Sequence, residues 1–436
     1  MSSVTIPPTQ TSTQRGRWRR LVGIALALAL VGALGWQAWV HVSAWRELKA
    51  GKAALARDEP EAARHHFARC LDAWPQSPEA NFLAAQAARR CGDLSAAEKH
   101  LQVAARFGQG ADDTEVEYAL IKVQSGHFAE AESALLHHLN NGHPEGPQIL
   151  EVLVPAYMLQ FQWAKADGLG AKWIELRPES VKAWKAHAEI LERLRRTNAA
   201  VDALRRVVEL SPEDRKARLD LARLILETRQ SPDEAAKHAE WAVQSDPRDA
   251  TALIQLAACR EAQSRTEDAI AILDRVIAEF PPDPTAYHIR GRLEMARNAT
   301  SALPFLRKAA ELDRSNPDTL YSLFLCLQRA GTPEQAAEAE KQWRRCSDDL
   351  RRARELGRVI SASPHDPELR REMGELFLRN GRDAEGLRWL ESALREDPNH
   401  ASTHRALAEY YERIGQPERA AHHSHFLVGR VIGGHP

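Results

Sequence analysis

The side chains most able to do chemistry in this sequence are its 18 histidines, 5 cysteines and paired acids. No spacing among them assembles a reaction centre. His65-His66 and His137-His138 are neighbours in sequence, and neighbours on a helix point to different faces. Near the end, His422, His423 and His425 follow one another, and only His422 and His425 share a helical face on which a metal could be held. The preferred reading of all of them is surface or packing histidine. Asp112-Asp113 and Asp348-Asp349 stand where helices start, and the helix dipole accounts for acids there. The cysteines, at 70, 91, 259, 326 and 346, form no CxxC or CxxCH, so zinc ribbons and haem attachment have no support and packing thiols are expected. There is no GxSxG, P-loop, HExxH or glycine-rich phosphate loop. The expectation is a non-enzyme with no catalytic residue, cofactor or metal. A formal net charge of -1 also argues against a nucleic-acid partner.

The elements that carry these side chains are clearer. From Pro367 to His400 the chain reads as two amphipathic helices. Met373, Gly374 and Phe377 mark one apolar side, and Gly386, Leu390 and Ala393 mark the other. Asn380-Gly381 breaks the chain between the helices and Asp397-Pro398 ends the unit. The same theme recurs in one register. The unit from Ala44 has Gly51, Ala63, Phe67 and Pro75; that from Pro78 has Ala84, Ala85, Ala97 and Leu101. Units from Asp112, Pro147, Val181, Arg215, Ala250, Pro284 and Pro317 follow, with slips of one residue in two of them, and a partial unit carries Leu407, Ala408, Tyr411, Gly415 and Ala420.

This spacing resembles the tetratricopeptide repeat, in which W-x2-L-G-x2-Y, A-x3-F and P recur over 34 residues. The resemblance covers nearly everything after Ala44, with departures at the Trp and Tyr positions. It implies an all-α, right-handed superhelical solenoid of about 10–11 helix-turn-helix repeats. Small residues stand where the two helices of a repeat (A and B) cross, and large ones fill the gaps.

Ahead of the repeats, residues 1–20 read as a short disordered tail with Arg15, Arg17, Arg19 and Arg20, and no acid occurs before Glu47. The uncharged run Leu21 to Val40, assigned to residues 21–41, is long enough for a single transmembrane helix, with Trp18, Trp36 and Trp39 near its ends. The arginines place the N-terminus in the cytoplasm and the solenoid on the periplasmic or extracytoplasmic side. The alternative, a cleaved signal peptide ending near Val42-Ser43-Ala44, yields a secreted protein, but the run is long for that role.

The solenoid is expected over 44–346 and again, with a cap, over 367–430. Between Pro317 and Pro367 lie 50 residues, 16 more than one repeat. Ser347-Asp348-Asp349 reads as an N-cap followed by RRARELGRVI. Residues 347–366 are therefore either a prolonged helix B or an added helix, and a candidate hinge or docking point.

The resemblance also implies a concave groove lined by the second, fifth, ninth and twelfth residues of each helix A. The groove residues singled out on that rule are Lys182, Lys185, Lys216, Arg223, Ile254, His288, Arg292 and Tyr321. Basic groups beside apolar ones suit an extended peptide with some acidic residues. The Lys/Asn/Arg set by which some relatives grip a C-terminal carboxylate is absent, because Glu189 stands where Asn is required. The expected function is a membrane-anchored scaffold binding other proteins through the groove. The alternative is a non-catalytic subunit of a membrane-associated enzyme or export assembly.

Overall fold

The computed structural model describes the backbone of residues 12–432 and the side chains of residues 30–32, 34–360 and 363–426. Among the described residues there are helices and turns and no strand. The chain folds as two compact units, residues 1–152 and 153–436.

The first unit holds α1 (Ser12–Ala56), α2 (Pro60–Ala73), α3 (Pro78–Arg90), α4 (Leu94–Arg106), α5 (Ala111–Gln124), α6 (Phe128–Asn140) and the start of α7 (Gly146–Leu159). The second takes up the end of α7 and continues through α8 (Trp163–Leu176), α9 (Val181–Arg193), α10 (Thr197–Leu210), α11 (Arg215–Glu227), α12 (Pro232–Ser245), α13 (Ala250–Ala262) and α14 (Thr266–Glu279). It then runs through α15 (Pro284–Met295), α16 (Ala299–Leu312), α17 (Pro317–Ala330), α18 (Pro333–Ala362), α19 (Pro367–Arg379), α20 (Asp383–Glu396), α21 (Ala401–Arg413) and α22 (Pro417–Ile432). Odd-numbered helices are helix A of each repeat and even-numbered ones helix B. Helices pack on sequence neighbours, as α1 does on α2, α3 on α4, α15 on α16 and α19 on α20, and successive A helices such as α11, α13, α15 and α17 also touch.

Local chemistry starts and stops these helices. Ser77, Asp93, Ser180, Asp214, Asp249, Asp283, Asn316 and Asp366 accept backbone N–H groups of the first turn. Thr332 and Gln335 form a reciprocal capping box at the start of α18. Most turns from A to B use one residue with positive φ, at Asp58, Gly92, Gly126, Phe161, Arg195, Arg229, Ser264, Gly381 and Gly415.

Where A and B cross, backbones nearly touch. A Cβ on Gly374 would stand 2.7 Å from Leu390 Cγ and 2.9 Å from the Gly386 carbonyl oxygen; one on Gly386 would meet Leu378 at 2.6 Å. Met373, Leu390 and Ala393 are buried around this crossing.

Two expectations are corrected. First, among the described residues no helix is long and apolar enough to cross a membrane. Of the apolar run, side chains are described from Leu30 onward. The rest of the run lies outside the described side chains. From Ala44 onward α1 serves as helix A of the first repeat, with Ala44, Leu48 and Ala54 buried against Ala63, Phe67 and Cys70 of α2. The single-pass membrane localisation and its sidedness are therefore withdrawn. Second, Ser347-Asp348-Asp349 caps nothing. The segment lies inside α18, one continuous helix of 30 residues. Asp349 instead turns inward, accepting from Arg379 Nε and Nη2 at 3.0 and 2.8 Å and from Asn380 Nδ2 at 2.9 Å. The extra length is thus a prolonged helix B tied to the end of α19.

Candidate binding face

The groove residues singled out from the sequence lie on five consecutive A helices, α9 to α17, all in the second unit. On α9, Lys182 is exposed and Lys185 forms an ion pair with Asp214. Asp214 is the N-cap of α11 and also accepts the Ala217 amide at 3.0 Å. Burial raises the Asp214 carboxyl, but Lys185, the Ala217 amide and the nearby Lys216 outweigh it and hold the group below its usual range. Asp220, one turn on, goes the other way: its burial prevails over Arg223 and Lys216 and pushes its carboxyl up. Arg223 reaches Glu192 of α9 at 3.0 Å and Glu227 at 2.8 Å.

The pattern repeats further along. Arg215 of α11 pairs with Asp249, the N-cap of α13. Arg292 of α15 bonds Glu261 of α13 at 2.6 Å. His288 of α15 lies 3.2 Å from the Ser322 hydroxyl of α17. Burial, reinforced by Arg292, lowers the pKa of His288, so its imidazole is neutral at pH 7. Carboxylates and cations thus alternate between neighbouring A helices, and Lys185, Arg223 and Arg292 each meet an acid. An acidic ligand competes with these partners rather than meeting bare cations, and each exposed pair contributes only about 0–1 kcal/mol.

Ile254 differs from the rest. It is 8% exposed and belongs to the core with Leu253, Ala257 and Leu273, so it holds α13 in place and offers little surface to a ligand. Tyr321 is 42% exposed. Its ring lies 4.8 Å from that of Trp343, which stacks on Phe324 at 5.9 Å and 6°. These three rings form an aromatic shelf at the α17–α18 end of the face. Trp343 was not singled out from the sequence because the groove rule considers helix A alone, and Trp343 sits on helix B.

The remaining candidates for chemistry are structural. Cys70, Cys259, Cys326 and Cys346 are buried free thiols, and burial pushes Cys259 up to about 12 and Cys346 up to about 11, far from thiolate reactivity. Among the described residues no group of three His, Cys, Asp or Glu could hold a metal ion. His423 pairs not with a metal partner but with His404, Nδ1 to Nδ1 at 2.9 Å, while His404 Nε2 donates to the Pro398 carbonyl at 2.9 Å. In the first unit, Arg89 of α3 and Glu117 of α5 form a buried pair, with Nε to Oε1 at 2.6 Å and Nη2 to Oε2 at 3.3 Å.

Comparison with known proteins agrees with this architecture. Family models described as tetratricopeptide repeat match residues 48–112, 181–224, 229–293 and 347–401. No protein of curated function matches the chain. Similar solved structures include a tetratricopeptide repeat protein from Parabacteroides merdae, 22% identical, covering 58% of this chain and 99% of its own, with a TM-score of 0.36. PilW, a type IV pilus biogenesis factor, is 21% identical over 45% of this chain and 92% of its own, with a TM-score of 0.39. Cut9–Hcn1 of the APC/C is 13% identical over 89% of this chain and 94% of its own, with a TM-score of 0.34. Proteins built from these repeats are in general non-catalytic scaffolds for protein–protein interaction. The matched segments, the 34-residue recurrence of the turn and the A-on-A stacking place this chain in the tetratricopeptide repeat family.

Proposed function

We propose that the protein is a scaffold whose A helices from α9 to α17 bind an extended peptide segment of a partner protein. The observation that carries this reading is the aromatic shelf of Tyr321, Phe324 and Trp343 beside the His288–Arg292 side of α15. Among the singled-out groove residues Tyr321 is an exposed aromatic one, and its solvent-facing ring has apolar area to lose on binding. An apolar or aromatic side chain of the peptide docks on that shelf. Acidic side chains of the same peptide then take over Arg292, Arg223 and Lys185 from Glu261, Glu192 and Asp214. The exchange is nearly balanced for each pair, so charge selects the register while the shelf supplies affinity.

The test is a peptide selection against the full chain, followed by affinity measurement on two variants. Tyr321→Ala weakens the selected peptide about tenfold or more, as loss of a well-packed aromatic contact does. Reversing Lys185, Arg223 and Arg292 together to Glu weakens it further and removes most of its salt dependence. Peptides that bind both variants as well as the parent would refute the assignment, and circular dichroism controls for loss of fold.

A further inference from the structure

The turn between α7 and α8 is unlike the others. Its positive-φ position holds an aromatic residue, Phe161, with φ 61°, where other turns have Gly92, Gly126, Gly381 and Gly415 or the polar Asp58, Arg195, Arg229 and Ser264. A bulky aromatic residue in this region is an outlier that persists only when its surroundings over-determine it. The surroundings are far away in sequence. The Phe161 ring stacks on Trp389 of α20, with centroids 3.5 Å apart and planes at 15°. It packs against a buried cluster of Ala353, Leu356, Ile360, Met373, Leu376 and Trp389. Three of those side chains, Ala353, Leu356 and Ile360, come from the part of α18 that exceeds an ordinary repeat. Beside the ring, the Gln160 carbonyl accepts from Arg370 Nη2 at 3.4 Å. Arg370 is 1% exposed, and its other N–H groups are held by the Pro364 carbonyl and by Ser392 Oγ at 3.1 Å, with Glu396 at 3.2 Å. The α7–α8 turn thus inserts an aromatic side chain and a backbone acceptor into a surface built by α18, α19 and α20.

We propose that Phe161 is a latch: it closes the second unit onto itself, from the α7–α8 turn to α18–α20, and its release frees the A helices between them, α9 to α17, to spread and admit a peptide. The consequence for binding rests on the function proposed above, but closure itself does not. The contact joins the two ends of the run of helices that carries the binding face. Each repeat otherwise touches only its neighbours, so small angular changes accumulate along the run unless its ends are fastened. The prolonged α18 is what makes the fastening possible, because the buried side chains that receive Phe161 lie on its extension.

The turn provides its own control. Phe161→Gly keeps the positive-φ turn without strain and removes only the ring, whereas Phe161→Tyr keeps the stacking face. Amide hydrogen exchange is measured on the full chain without any ligand. In Phe161→Gly, exchange speeds up about tenfold or more at residues 157–163 and also at 363–370, while α10–α13 are unchanged; Phe161→Tyr exchanges as the parent does. Unchanged exchange at 363–370 in Phe161→Gly would overturn the latch. So would equal acceleration throughout the second unit, which would make Phe161 a general stability residue. Because no peptide takes part, a failure of the latch is separable from a failure of the proposed binding face.

Discussion

At the scale of single residues, polar groups in this protein mostly bind one repeat to the next. Glu117 and Arg89 are the sharpest case, with side chains 1% and 3% exposed. Glu117→Gln leaves the arginine charge buried without its counter-ion and costs about 3–5 kcal/mol, measurable as a loss of denaturant resistance in the first unit. The same rule explains His423, whose pKa falls to about 4 through burial and the neighbouring His404 and His422. An unfolded histidine titrates near 6.5. The unfolded segment therefore takes up a proton before the folded one does. The stability that His423 contributes is complete above about pH 6.5 and is lost as pH falls from there towards 4. Exchange of the α22 amides should accelerate over that window in the parent and stay flat in His423→Phe; a flat parent profile would contradict the burial argument. The sequence showed His422, His423 and His425 but could not show that His404, a helix away, is the partner.

Helices and their crossings were largely legible, because small residues recur wherever two backbones approach. Gly374 is the clearest example. Adding one methyl group there meets both Leu390 and the Gly386 carbonyl, and backbone cannot move aside as a side chain tip can. Gly374→Ala should cost about 1–3 kcal/mol by overpacking, read as a lower melting midpoint, and combined with Leu390→Ala it should cost less than the sum of the two single losses. Strict additivity of the two losses would point to the carbonyl as the whole obstacle. The long helix α18 was less legible. Ser347-Asp348-Asp349 has the composition of a cap, yet Asp349 is a tertiary ligand of Arg379 and Asn380. Asp349→Ala should cost about 1–3 kcal/mol and raise exchange at the end of α19. If Asp349 were only a helix-start acid, α19 would not respond.

On the scale of the whole molecule, the two units supply a test of locality. Contacts in a repeat array are nearest-neighbour, so stability is a sum of local terms rather than one cooperative quantity. Glu117→Gln should raise exchange in α3–α5 while α19–α21 stay as they were, and Gly374→Ala should do the reverse. Spread of either effect through all helices would mean a single cooperative fold. The absence of a membrane-crossing helix among the described residues belongs here too, since the role of an apolar run depends on the segment it leads into. In this chain α1 continues directly into the packed first repeat.

The sequence by itself determined the repeat, its helix starts, its glycine crossings and the order of A and B helices. Each of those follows from residues within one or two turns of one another, where propensity, capping and the size of a side chain decide the outcome. The tertiary structure alone decided that Ile254 is core while Tyr321 is surface, and that the basic groove residues already face Asp214, Glu192 and Glu261. It also decided that Phe161 meets Trp389. These depend on how far successive repeats rotate, which is a sum of many small packing angles. No local pattern of residue types encodes that sum.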